Sequence, residues 1–235
     1  LLAAFDYAFI GEAEQSWPEF LSRYEKKQDF SSIAGIIYRD QGRVVSTGQP
    51  ADISNLDVLP APARHRLNMP LYKLGTLRGR LPFTSIQTMR GCPWKCIFCA
   101  SEALKTTQMR VRSPRSVVDE IKQVVERFGT RHFYIVDDVM TLWKDHILEI
   151  CDLIDQEGLK ITFEGSTRAN LVEDEVMARL VRSGLIRLSF GLETVDPEIR
   201  RTMKKQVPLE HYVRANGICN KYGVEALNSV MIGLP

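Results

Sequence analysis

The sequence predicts an α/β fold: a parallel sheet flanked by helices, preceded by a small α+β region. Three observations carry this expectation. Five short apolar runs suited to strands recur after residue 81, amphipathic helical stretches lie between them, and those helices stop at glycines. Repeated strand–helix units joined by short turns imply parallel pairing, in an open doubly wound sheet or in a barrel.

Taken in chain order, Phe5-Asp6-Tyr7-Ala8-Phe9-Ile10, Gly11-Glu12 and Phe20-Leu21 read as a strand, a turn and a helix, too little to make a domain. Ile33 to Tyr38 and Val44 to Thr47, joined across Asp40-Gln41-Gly42, suit a β-hairpin in which glycine supplies the positive φ. Leu59 to Pro70 is rich in proline and reads as an extended linker. These signals divide the chain into residues 1–28, a hairpin and linker over 29–81, and a main domain over 82–235.

In that main domain the expected strands are Phe83–Thr88, His132–Val136, Lys160–Glu164, Ile186–Phe190 and Ala226–Ile232. The clearest helix carries Val117, Val118, Ile121, Val124, Val125 and Phe128 at helical spacing. Ser113-Pro114 is a good N-cap and first-turn pair for it, and Gly129 stops it. Gly158, Gly184 and Gly223 close the later helices. The last strand has no helix after it and the chain opens without methionine, so both ends are expected to be cut from a longer protein.

Thirty-one basic and 29 acidic residues leave a net charge of +2, which gives no electrostatic support to a general nucleic-acid or membrane-surface role. No run approaches the ~18 apolar residues that a membrane span needs. The expectation is a cytoplasmic protein. Of five cysteines, three are crowded into Cys92-Pro-Trp-Lys-Cys96-Ile-Phe-Cys99, just after the first strand of the main domain. That is a metal site rather than a secreted disulfide framework.

Three thiolates this close suit three irons of a four-iron, four-sulfur (4Fe-4S) cubane and leave the fourth iron open. An open iron accepts a small chelate such as the α-amino and α-carboxylate groups of methionine. If the ligand is S-adenosylmethionine (SAM), its sulfonium lies beside a low-potential cluster, and one electron splits its sulfur–carbon bond to give a 5′-deoxyadenosyl radical. Two other readings stand beside this one. Structural zinc wants four ligands, and the remaining candidates, His65 and His132, are remote in sequence. A ferredoxin-like carrier wants a fourth cysteine; Cys151, on a helical face with Ile147, Ile150 and Ile154, and Cys219, beside Ile218, both read as small core residues.

The three-cysteine spacing, with aromatic Phe98 before the last cysteine, resembles the signature of the radical SAM superfamily. The resemblance runs from about Phe83 to the end. It implies a partial (β/α)6 barrel of TIM-barrel type, here truncated before its sixth unit. Met89-Arg90-Gly91-Cys92-Pro93, Arg112-Ser113-Pro114, Val136-Asp137-Asp138 and Gly191-Leu192-Glu193 are similar to the cobalamin-dependent members. Gly11-Glu12-Ala13-Glu14 resembles the close of their cobalamin-binding domain, so residues 1–28 are expected to be its remnant, and Leu56-Asp57-Val58-Leu59-Pro60 resembles their linker. The resemblance implies cobalamin in the parent protein, methylation or cyclisation of a small-molecule substrate, and a reducing partner such as flavodoxin or ferredoxin. The rival within the superfamily is a methylthiotransferase, which would need auxiliary-cluster cysteines upstream; none occurs in the first ninety residues.

Chemistry in barrels sits at the C-terminal ends of strands. Asp137 and Asp138 stand where relatives often carry Gly-Gly-Glu to hold the methionine amino group; they do the same or cap the next turn. Arg168 follows the third strand, to pair with the SAM carboxylate or to lie on the surface. Glu193 ends the fourth inside an apolar run, and burial demands a partner, either SAM or an internal base. Relatives contact the ribose or amino group from that strand end. Ile232-Gly233 matches the place where their backbone flanks adenine, or is a plain strand-ending glycine. Trp94, Trp143 and Tyr134 line a pocket or pack.

Overall fold

The computed structural model describes residues 4–76, 79–100 and 108–233, and divides into two compact units, 1–59 and 60–235.

In the first unit, β1 (Tyr7–Phe9) pairs antiparallel with β2 (Ile36–Asp40), which pairs with β3 (Arg43–Ser46). The β2–β3 turn needs positive φ at two residues, Gln41 at 43° and Gly42 at 79°, the geometry that matches the twist of a two-residue hairpin. Helix α1 (Ser16–Glu25) buries Phe20 against this sheet, its ring centroid 4.8 Å from Tyr7, 5.4 Å from Phe9 and 5.2 Å from Phe30. Ile33 and Ile36 complete a small apolar core. Because β1 pairs with β2, the line drawn at residue 28 falls inside one sheet, and hairpin and opening segment belong together.

The second unit holds a six-stranded sheet in the order β11-β10-β9-β8-β5-β4. Strands β5 (Gly79–Ile86), β8 (His132–Ile135), β9 (Thr162–Thr167), β10 (Leu185–Glu193) and β11 (Glu225–Val230) are parallel. Edge strand β4 (Lys73–Thr76), in what reads as linker, pairs antiparallel with β5. A short ribbon, β6 (Met89–Arg90) with β7 (Arg110–Val111), follows β5. Among the described residues five helices connect the strands: α2 (Pro114–Phe128), α3 (Lys144–Gln156), α4 (Asp174–Arg182), α5 (Pro197–Thr202) and α6 (Leu209–Lys221). Two helices, not one, separate β10 from β11; α5 starts on Asp196, which accepts from the N–H groups of Glu198 and Ile199. The last strand ends at Val230 rather than Ile232, whose side chain is fully exposed.

Alternation along the strands sorts the two faces. Phe133, Ile135, Phe163, Leu188 and Phe190 pack under Val117, Ile121, Ile147, Ile150, Val176 and Leu180 of the helices. Cys151 and Cys219 are wholly buried in this layer, as core residues. Burying each large apolar side chain contributes about 1.5–3 kcal/mol, so this face supplies most of the driving force. The opposite face is concave and polar. There His132 Nε2 meets Glu164 Oε1 at 2.9 Å, and Arg187 reaches Glu164 at 2.8 Å and Glu225 at 3.0 Å. Arg187 on β10 also donates to the Gly75 carbonyl of β4 at 2.9 Å, four places away in strand order. Only a strongly curled sheet brings those two strands together.

Candidate functional site

The site begins where β5 ends. Beyond Ile86, the chain is tied down by Asp137 from the end of β8. Its Oδ1 accepts from Thr88 N at 2.8 Å and Met89 N at 3.1 Å, and its Oδ2 accepts from the Thr88 hydroxyl. Asp137 is 3% exposed, and burial pushes its carboxyl up to about 6. With Oδ1 on two backbone N–H groups and Oδ2 on the Thr88 hydroxyl, Asp137 holds the approach to the cysteines. On the other side, Arg112 donates to the Gln87 carbonyl at 3.0 Å and pairs with Glu120 at 2.5 Å; Arg64, on Glu120 at 2.7 Å, donates to Thr84 and the Ser85 carbonyl. These polar side chains together fix the strand end that feeds the loop.

The loop carries all three cysteines, Cys96 buried and Cys92 and Cys99 half-buried; none of the five cysteines forms a disulfide. A tight turn from Cys99 N to Cys96 O, 3.0 Å, and a link from Ile97 N to Met203 O, 3.2 Å, shape it. Burial raises the Cys92 thiol, Asp138 and Cys99 add to the rise, and Arg168 opposes it. Among the described residues no three His, Cys, Asp or Glu side chains converge on a single-ion position. A cubane asks for something different, one thiolate for each of three irons, and three thiols on one short loop are that donor set. Zinc's candidate fourth ligands do not come here: His65 is exposed on a turn, and His132 starts β8, its ring nitrogens on Thr162 and Glu164.

Arg168, following β9, lies over the Trp94 ring with its guanidinium carbon 4.1 Å from the centroid, and its NH1 approaches Cys96 Sγ at 4.0 Å. Its Nε is buried with no hydrogen-bond partner in the structure. Glu193 stands at the end of β10 with φ of 62° and pairs with Lys205 at 2.9 Å. The internal base is therefore the partner its burial demanded. That pair occupies the space where a Cβ at residue 191 would lie, so a side chain there would push the two charged ends aside. Lys205 also lies 5.6 Å from the Phe98 ring centroid, joining the ion pair to the cysteine loop. Tyr212 donates to the Gly191 carbonyl at 2.8 Å, and burial pushes its hydroxyl up to about 12. Asp138 is exposed beside Cys92. Met231 N donates to the Glu193 carbonyl at 2.9 Å, which brings Ile232-Gly233 to the same rim.

The chain's residues 86–235 match the model of the radical SAM superfamily. It belongs to the radical SAM superfamily. An uncharacterized methyltransferase of Pyrococcus horikoshii is 30% identical over 230 residues, covering 98% of this chain and 49% of the relative. The anaerobic magnesium-protoporphyrin IX monomethyl ester cyclase of Synechocystis is 28% identical over 204 residues, covering 85% and 40%. Among solved structures, the radical SAM methyltransferase TsrM of Kitasatospora setae, with cobalamin and a [4Fe-4S] cluster bound, overlays with a TM-score of 0.76 at 18% identity, covering 98% of this chain and 47% of that one. The chain spans about half or less of the length of these relatives. The radical SAM fold is thus a partial barrel here, with the cysteine loop at the C-terminal ends of its strands.

Sequence reasoning missed Lys205, Thr88 and the Arg64–Glu120–Arg112 group. A buried Glu193 announced that some base exists, but nothing in Lys204-Lys205 distinguishes it from solvated lysine. No helix among the described residues is long and apolar enough to cross a membrane.

Proposed function

We propose that this chain is the SAM-binding and SAM-cleaving part of a cobalamin-dependent radical SAM enzyme of the methyltransferase or cyclase type. The observation that carries the reading is the loop with Cys92, Cys96 and Cys99 at the mouth of the curled sheet, with an arginine Nε buried and unpartnered beside it. When bound, the cluster supplies one electron that splits the SAM sulfonium's bond to C5′. The chain's own residues bind and orient. Arg168 offers the fork of donors that suits the carboxylate of SAM, and Asp138 the charge that suits its amino group. Glu193, held by Lys205, borders the ribose, and the backbone at Ile232-Gly233 the adenine. Phe98 packs below the ion pair and keeps water from the loop.

The relatives named as a methyltransferase and a cyclase, and the cobalamin in the TsrM structure, support the finer reading, in which the opening strand and helix, in one unit with the hairpin, close a cobalamin-binding domain. The substrate is a small molecule and the electron donor a flavodoxin or ferredoxin. The test is the parent protein, reconstituted without oxygen and given SAM and dithionite. The expected product is 5′-deoxyadenosine, with S-adenosylhomocysteine as well where cobalamin relays a methyl group, and the protein shows corrinoid absorption. Cluster-loaded protein that consumes no SAM would contradict the reading; a parent unable to take up a corrinoid would remove its cobalamin part.

A further inference from the structure

We propose that Arg168 sets the reduction potential of the cluster on Cys92, Cys96 and Cys99, and that Trp94 holds it in place to do so. This rests on the cluster assignment above. Two observations lead to it. The guanidinium carbon sits 4.1 Å above the Trp94 ring, and Trp94 belongs to the cysteine loop itself, between Cys92 and Cys96. The NH1 group is directed to Cys96 Sγ at 4.0 Å.

The physical consequence follows from charge. Loading the loop turns each thiol into a thiolate, and reduction adds one more negative charge to the cluster. A fixed guanidinium beside a ligand sulfur stabilises the reduced form more than the oxidised form, and hydrogen bonds to cluster sulfurs and local net charge are the terms that set such potentials. Arginine stays charged at every working pH, and its planar fork presents several donors at once. One N–H therefore serves Cys96 while Nε, on another edge, stays available to an acceptor. Packing over an aromatic ring removes the rotamer freedom that would otherwise blur the effect. Lys205 lies farther out, over Phe98, with its charge compensated by Glu193. Arg168 is aimed at a cysteine sulfur.

The experiment is a potentiometric titration of the reconstituted full chain, without SAM, followed by the EPR signal of the reduced cluster. Leaving SAM out separates this role from carboxylate binding. R168Q should move the midpoint to more negative values, lowering the ratio of reduced to oxidised cluster at a fixed potential on the order of tenfold, the scale of one charge-assisted contact. R168K, which keeps the charge and loses the fork, should give a smaller shift of the same sign. W94A, which leaves the charge in place and unclamps it, should shift the same way. Should R168Q take up no iron, W94A and R168K carry the test. Cluster-loaded variants with the wild-type midpoint, or with a more positive one, would overturn the proposal. A wild-type chain that takes up no cluster would instead overturn the assignment on which it rests.

Discussion

At the scale of single residues, Asp137 separates what a motif suggests from what geometry does. Its place at a strand end in an acidic pair suggests contact with a ligand. The structure turns it inward, where it accepts three hydrogen bonds from Thr88 and Met89. Burial lifts its pKa to about 6, above the roughly 3.9 of an unfolded chain. The folded state therefore holds this proton more tightly. Its stabilising effect is complete below about pH 4 and is lost as pH rises through 6, a span of roughly 3 kcal/mol at most. Asp137→Asn keeps an acceptor for the two N–H groups and has no charge to desolvate. Urea unfolding of the iron-free chain should show a shallower fall in stability between about pH 4 and 6 for this variant than for wild type, with the curves parallel outside that window. Identical slopes would show that Asp137 is not desolvated as described. Glu193 illustrates the complementary case, since its apolar surroundings announced a partner in the sequence while the choice of Lys205 depended on the turn after α5.

Elements were more legible than their edges. The five parallel strands declared themselves because apolar runs between amphipathic helices have few alternatives, and α2 declared both its ends through Ser113-Pro114 and Gly129. Strand β4 escaped because four residues beside a proline-rich stretch carry too little pattern, and six-residue α5 escaped for the same reason. Their existence depends on tertiary neighbours: β4 on β5, α5 on its Asp196 cap. The glycines that end the helices also differ in a way invisible in sequence. Gly129 at φ 66° has open space where a Cβ would go, whereas at Gly184, φ 114°, a Cβ would collide with the Ile161 carbonyl of the adjoining turn. Gly129→Ala should cost about 1–2 kcal/mol, the ordinary penalty of left-handed backbone. Gly184→Ala should cost more, about 3 kcal/mol or above, because rigid backbone must shift as well. Denaturant midpoints of the two variants decide this, and equal losses would mean that the collision is relieved.

At the scale of the whole molecule, the sheet's curl and the cysteine loop's place at its C-terminal rim make one account. An apolar outer face drives the helices onto the sheet, a polar inner face is held by His132, Glu164, Arg187 and Glu225, and the strand ends deliver Asp138, Arg168 and Glu193 around the loop. The cysteines were readable in advance because their spacing is short-range; Arg168 on Trp94 was not, because it joins positions 74 residues apart through the curled sheet. The central claim is that Cys92, Cys96 and Cys99 hold a cubane cluster. Its most direct test is the iron and acid-labile sulfide content of the chain after reconstitution without oxygen. About four of each per chain are expected, with a brown colour, lost on replacing Cys92, Cys96 and Cys99 by alanine and kept on replacing Cys151 and Cys219. Stoichiometric zinc in protein purified without oxygen, together with no iron uptake, would contradict the account.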